Sequence, residues 1–176
     1  MRIVQIEDIY IDNLGRHFTS VMFSKRFHKT HTRKYVGVVL TINGLNYYVP
    51  FSSPKPHDFN NDGSIRADTL FDAKMTESDG NGGKVLLGTL RFNSMIPVPM
   101  NYVIGYSIDT EQDDKYAAIL LSELKWINKN QEYICKKALA IYSFKESESA
   151  YRNEKNGARY DMVLPFKVIE DFINNK

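Results

Sequence analysis

Residues 35–49 constrain this chain more than any other stretch. Tyr35-Val-Gly-Val-Val-Leu-Thr-Ile42 is apolar and β-branched, Asn43-Gly44 interrupts it, and Leu45-Asn-Tyr-Tyr-Val49 resumes it. Asn-Gly takes up the positive φ angles of a type I′ turn, whose twist matches that of two paired strands. The segment reads as a β-hairpin. Pro50 closes its second strand, and Phe51-Ser-Ser-Pro-Lys55 runs out of it into a loop. Tyr47 and Tyr48 point to opposite faces of that strand, one expected in the core and the other exposed.

Around the hairpin the first half of the chain reads as mainly β and the second half as helical. Ile3–Ile6 fits a short strand, and Asp8 fits the cap of a brief helix through Leu14 that Gly15 ends. Residues 25–34 lack an apolar period and read as a loop. Residues 57–83 are polar, with turn signals at Asp62-Gly63 and at 79–83, and read as an excursion with little structure of its own. Lys84–Leu90 is a strand candidate. Met95-Ile-Pro-Val-Pro99 suits an edge strand, because proline cannot donate to a central ladder. Residues 102–108 offer one more strand.

Acids then crowd at Asp109, Glu111, Asp113 and Asp114, where they favour the positive end of a helix dipole. Ile119, Leu120, Leu124 and Ile127 recur at helical spacing behind them. A second helix covers about 131–143, and a charged stretch at 145–159 leads to a last apolar segment, 163–172. With no repeat and no linker, residues 1–176 are expected to form a single α+β domain. Its core would be a small curved sheet or barrel from the first half, packed against C-terminal helices.

Composition excludes some classes. With 43% hydrophobic and 25% charged residues, the chain is not expected to be largely disordered. No apolar run approaches the roughly 20 residues of a membrane helix. The start, MRIVQIEDIYID, carries acids where a signal peptide carries an apolar run. Cys135 is the only cysteine, which leaves neither an internal disulfide nor a zinc site. The expected compartment is the cytoplasm.

Net charge is only +2, but its distribution is uneven. From Asn13 through His57 there is no Asp or Glu, and that stretch holds Arg16, Lys25, Arg26, Lys29, Arg33, Lys34, Lys55 and all four histidines. Such a block makes a positive field suited to phosphate. Lys25, Arg26, Lys29, His31 and His57 are the candidate RNA contacts. A solvated basic loop without a partner is the plainer reading.

Nucleotide-loop, dinucleotide, zinc and nucleophile-elbow motifs are absent, so no metal or cofactor is expected. What remains is Ser52-Ser53-Pro54-Lys55-Pro56-His57 at a strand end. Two hydroxyls, an ammonium and an imidazole lie there together. Cleaving RNA without metal requires deprotonating a ribose 2′-OH, stabilising charge on the phosphorane, and protonating the departing 5′-oxygen. Lysine and histidine can move protons and offset charge, and serine can orient or donate. Pro54 holds the backbone between Ser53 and Lys55. On spacing alone, a loop of this kind is more often a turn with exposed polar residues.

The run from Lys34 through Tyr-Val-Gly-Val-Val-Leu, Ile-Asn-Gly-Leu-Asn-Tyr-Tyr-Val-Pro and Ser-Ser-Pro-Lys55 resembles the N-terminal half of the ToxN/AbiQ endoribonucleases. Leu90-Arg-Phe-Asn-Ser-Met-Ile-Pro97 and the helical pattern from Tyr116 to Ile127 are similar to two further family segments. The resemblance covers roughly residues 33–130. It implies an α+β fold with a twisted, antiparallel, barrel-like sheet of the MazF/Kid type and added helices, mainly C-terminal, together with metal-independent cleavage to 2′,3′-cyclic phosphate and 5′-hydroxyl ends and a role in phage defence. It also implies an antitoxin RNA folded from repeats as pseudoknots, held in a closed protein–RNA assembly, with cellular or phage RNA as substrate and no membrane or protein antitoxin.

By position in the motif, Ser53 would be the central hydroxyl, Ser52 its neighbour, and Lys55 the lysine at the scissile phosphate. Counting back from Gly37 puts the family's basic residue at Arg33, while the adjacent Lys34 has the matching residue type. Arginine binds phosphate well but stays protonated. The alternatives are a non-catalytic RNA-binding module, or a barrel toxin with a protein target and a protein antitoxin.

Overall fold

The computed structural model describes residues 1–18, 21, 32–147 and 159–175. Lys25, Arg26, Lys29 and His31 lie outside the described residues, as does most of the charged stretch before the last helix. The described chain is α+β. Its strands are β1 (Arg2–Ile6), β2 (Tyr35–Ile42), β3 (Leu45–Ser52), β4 (Asp72–Ser78), β5 (Lys84–Arg91), β6 (Ile96–Pro97) and β7 (Val103–Gly105). Its helices include α1 (Asp8–His17), α2 (Asp114–Lys129), α3 (Gln131–Glu146) and α4 (Phe166–Asn174).

All pairings are antiparallel, in the order β4-β5-β3-β2-β1-β7, with β6 also on β3. The sheet does not close: β4 and β7 are both edges. The ladder slips once between Gly37 and Leu40 and once between Met75 and Thr76. Such shifts sharpen local twist and bend a strand.

The hairpin forms as its residues require. Asn43 and Gly44 have φ of 51° and 77°, the two positive angles of a type I′ turn. Gly37 stands opposite Tyr48, and a Cβ there would come within 2.0 Å of the tyrosine ring. Only glycine lets that ring lie flat on β2. Tyr48 is therefore as buried as Tyr47, contrary to the expected one-in, one-out split. Both faces of the sheet are covered at this point.

Tyr47 points towards α3 and α4, where its hydroxyl donates to Glu170. Tyr142 donates to the same carboxylate at 2.9 Å, and the Asn43 amide donates to its other oxygen at 3.1 Å. Three donors satisfy a buried acid, and they tie α4 to the hairpin turn.

Three other expectations change. Helix α1 starts beneath Glu7 rather than being capped by Asp8, and it runs through Gly15 to His17. Strand β3 continues past Pro50 to Ser52. Phe51 donates its N–H to the Lys34 carbonyl on the β2 side, so the Pro50 nitrogen faces the other edge. It falls in the gap between the β6 pairing, which ends at Tyr48, and the β5 pairing, which starts at Phe51. No ladder bond is lost there. Finally, the polar excursion contains a full strand, β4. Ala73 and Met75 alternate with Asp72, Lys74 and Thr76, and only the apolar pair is turned to the core.

Helix α2 starts at Asp113, whose side chain accepts from the backbone N–H groups of Lys115 (3.0 Å) and Tyr116 (3.1 Å), as an N-cap should. Among the described residues no helix is long and apolar enough to cross a membrane.

Candidate active site

The register of β3, β5 and β4 builds the site. Ser52 pairs with Thr89, Thr89 with Lys74, and Asp72 with Arg91. Extending the β2–β3 register one step past the Phe51–Lys34 bond sets Arg33 opposite Ser52. Because side chains alternate along a strand, these residues share one face. All but Thr89 floor a groove of about 660 Å³, whose walls come from Lys55, His57, Arg66, Thr69, Phe71, Asn93 and Met162.

Arg91 organises this groove. Its Nη2 donates to both oxygens of Asp58, at 3.1 and 3.3 Å, and its Nε reaches the Ser52 hydroxyl at 3.4 Å. Nη1 lies 3.8 Å from Asp72. Asp58 is 1% exposed and also accepts the Lys55 backbone N–H at 2.9 Å. One buried carboxylate thus fixes both the loop that carries Lys55 and the guanidinium beside it. A charge buried this deeply is stable only when paired.

Arg91 Nη2 also lies 3.2 Å from His57 Nε2. Arginine has no acceptor, so a hydrogen bond here requires Nε2 to accept and the ring proton to sit on Nδ1.

The far wall is set from α3. Lys137 donates to the carbonyls of Thr69 and Asp72, and Tyr133 donates to Asp68 at 2.5 Å. Lys74 contacts Asp72 at 2.6 Å. Burial alone would raise the Asp72 carboxyl. The Lys74 bond, the Thr69 N–H and the Arg91 charge outweigh it and hold it below its ordinary value. The Thr89 hydroxyl, between Ser52 and Lys74, is the buried side-chain polar atom left without a partner among the described residues.

Of the expected site residues, Arg33, Ser52, Lys55 and His57 meet at the groove. Ser53 is exposed at the end of β3 and is not part of the groove lining. Lys34 is on the other face. It is 3% exposed, and its Nζ stands 4.0 Å above the Tyr106 ring. Burial lowers its pKa, partly offset by Glu111. Behind the groove, Glu123 of α2 fills the space that Gly88 leaves, where a Cβ would meet its carboxylate at 2.3 Å. Burial pushes its pKa up to about 8.

Asp58, Arg91, Asp72 and Lys74 were not singled out from the sequence. Asp58 carried one signal, as the acid that ends the acid-free run.

A loop lysine, a strand-end serine and an arginine around one cationic groove are the elements of the resemblance noted above. A family profile described as toxin ToxN of type III toxin–antitoxin systems matches residues 2–174. The chain belongs to the ToxN family.

The endoribonuclease ToxN of Bacillus thuringiensis subsp. kurstaki is 31% identical over 135 residues, which is 76% of this chain and 62% of that relative. This match therefore spans less than two thirds of that relative's length. The endoribonuclease AbiQ of Lactococcus lactis subsp. lactis is 27% identical over 173 residues, covering 97% of this chain and 86% of AbiQ. A solved structure describing selective inhibition of a type III toxin by a non-coding RNA pseudoknot superposes with a TM-score of 0.80 at 25% identity. It covers 99% of this chain and 96% of its own. ToxN-family membership thus rests on nearly the full length of the described fold.

Proposed function

We propose that this protein is the endoribonuclease toxin of a type III toxin–antitoxin system, with residues 1–176 acting as one cytoplasmic domain. The observation that carries the reading is the meeting of Arg33, Ser52, Lys55, His57 and Arg91 at one groove in a ToxN-family chain. Arg33 and Lys55 hold the scissile phosphate and offset the charge that grows on its oxygens. The hydroxyls of Ser52 and Ser53 donate to the same oxygens, Ser53 from the rim. Arg91 and Asp58 position the loop and do not themselves exchange protons. His57 can take the 2′-OH proton once its Nε2, which faces Arg91 in this structure, is released from that contact.

The reaction is an in-line displacement. The 2′-oxygen loses its proton to a base and bonds to phosphorus, and the P–O5′ bond breaks as O5′ gains a proton from water. The products are a 2′,3′-cyclic phosphate and a 5′-hydroxyl. No step calls for a metal or cofactor.

The partner is an antitoxin RNA folded as a pseudoknot. It binds the groove in a closed assembly and keeps cellular or phage RNA out, as expected for phage defence by abortive infection. Kinship with the MazF/Kid barrel toxins belongs to the same reading. The two ladder shifts that bend the sheet support it, although β4 and β7 remain edges.

The test is incubation of purified protein, freed of RNA, with mixed RNA in EDTA beside Lys55→Ala, followed by end-group analysis. Cyclic phosphates that disappear in the variant are expected. Cleavage that needs added divalent metal, or that survives the substitution, refutes the site.

A further inference from the structure

The groove is not isolated. Arg66, Ala67 and Lys74 also wall a second depression of about 550 Å³, and this shares Thr76, Lys84, Trp126 and Asn130 with a third of about 630 Å³. The three form one trough that follows β4, which at about 3.3 Å per residue is roughly 20 Å long.

The far end of the trough has a different make-up from the groove. Ser122, Lys125, Trp126, Lys129 and Asn130 of α2 and its C-terminal cap line it at helical spacing, so they share one face. Lys84 enters from the start of β5. Glu77 is the acid on that wall, against Lys84, Lys125 and Lys129.

Trp126 is half-buried. It packs on the core and also borders both far depressions. A ring held from behind and open in front is a rigid stacking platform. Asn130 donates its side-chain amide to the Trp126 carbonyl at 2.7 Å, which leaves its Oδ1 as the acceptor it can offer.

We infer that this far end is a subsite for single-stranded RNA flanking the cleaved bond: a nucleobase stacks on Trp126 while Lys84, Lys125 and Lys129 hold its phosphates. The inference rests on the proposed RNA-cleaving function and extends it from the reacting phosphate to the neighbouring nucleotides. The arrangement favours RNA over a protein segment, because it joins a cationic wall to an aromatic face and connects directly to the groove.

Trp126 is the only tryptophan, so its fluorescence reports on this site alone. The probe is a short, uncleavable 2′-O-methyl oligoribonucleotide titrated into the intact protein. The expected result is saturable quenching of Trp126, with inorganic phosphate giving none. The double variant Lys84→Glu/Lys125→Glu, changed at two exposed positions, should raise Kd at least tenfold. It should also flatten the log–log salt slope by about 1.4, at roughly 0.7 per lost contact. In parallel, this variant should raise KM and shift cut positions on long RNA.

Cleavage by the native protein without quenching, and with KM and cut positions unmoved in the variant, overturns the subsite and leaves the catalytic reading standing. Quenching without cleavage supports the subsite and removes the catalytic reading. Neither quenching nor cleavage removes both.

Discussion

The two faces of the β3–β5–β4 region treat charge in opposite ways. On the groove face Arg33, Lys55, Lys74 and Arg91 surround Asp58 and Asp72, and each carboxylate holds a cation in place. On the covered face Lys34 lies under Tyr106, and Glu123 fills the gap at Gly88. Burial works against the charged form of both. The same residue types therefore do different work according to the side they face. The groove-face cations are paired, as Arg91 and Lys74 are, or partly open, as Arg33 and Lys55 are, while the covered groups are driven towards neutrality and serve packing.

The sharpest way to break this contrast is at Lys55. Removing a positioned group that acts on the reacting atoms costs about 10²- to 10⁴-fold. Lys55→Ala should accordingly lower kcat/KM on RNA at least a hundredfold without changing the unfolding midpoint. A comparable loss from Lys34→Ala in folded protein would mean that the covered face takes part in the chemistry.

Arg91 comes next. Arg91→Ala strands Asp58, which is buried and, among the described residues, otherwise bonded only through the Lys55 N–H and its contact with His57. Losing one partner of a buried charge pair costs about 3 kcal/mol. Denaturant unfolding should show this loss, and Arg91→Ala/Asp58→Asn should recover part of it. If the double variant is no more stable than Arg91→Ala, the pair does not anchor the loop.

Glu123 tests the covered face by pH. Its folded pKa, about 8, lies above the unfolded value near 4.3. The native state thus binds more protons than the unfolded state between those two values. Stability contributed by the neutral carboxyl is full below about pH 4, falls as pH rises through that window, and levels off above pH 8. Glu123→Gln should match the native protein near pH 4 and exceed it by up to about 5 kcal/mol at pH 8.5, at about 1.4 kcal/mol per unit of pKa difference. Identical pH profiles would place a water or a cation beside the carboxylate.

These contrasts also explain what could be read from the chain. The hairpin, β5, the Met-Ile-Pro edge strand and the two central helices follow local rules, namely turn chemistry, β-branching and helical period. Ser52, Lys55 and His57 were visible because they lie within six residues of one another at the end of β3. Strand β4 was hidden because its groove-facing residues, Asp72, Lys74 and Thr76, break the apolar run on which strand recognition relies. Arg91 and Asp58 are 33 residues apart, and only the β3–β5 register brings them together. Tyr48 was misjudged because alternation tells which face a side chain points to, not whether that face is covered.

The smallest expected effect separates two adjacent residues. Arg33 and Lys34 carry the same charge, but strand alternation puts Arg33 in the groove and Lys34 beneath an aromatic ring. Arg33→Met should reduce kcat/KM about tenfold, the loss of one charge-assisted contact worth about 1.4 kcal/mol. Lys34→Met should leave kcat/KM unchanged. Its stability should stay level or rise by up to about 1 kcal/mol, because the lost cation–π contact is offset by the desolvation no longer incurred. Arginine cannot serve as a base, so Arg33→Lys should retain binding and change the acid limb of the pH–rate profile little. If Lys34→Met is the variant that loses activity, the residue beneath Tyr106 must swing out to the RNA, and the division of labour between the two faces does not hold.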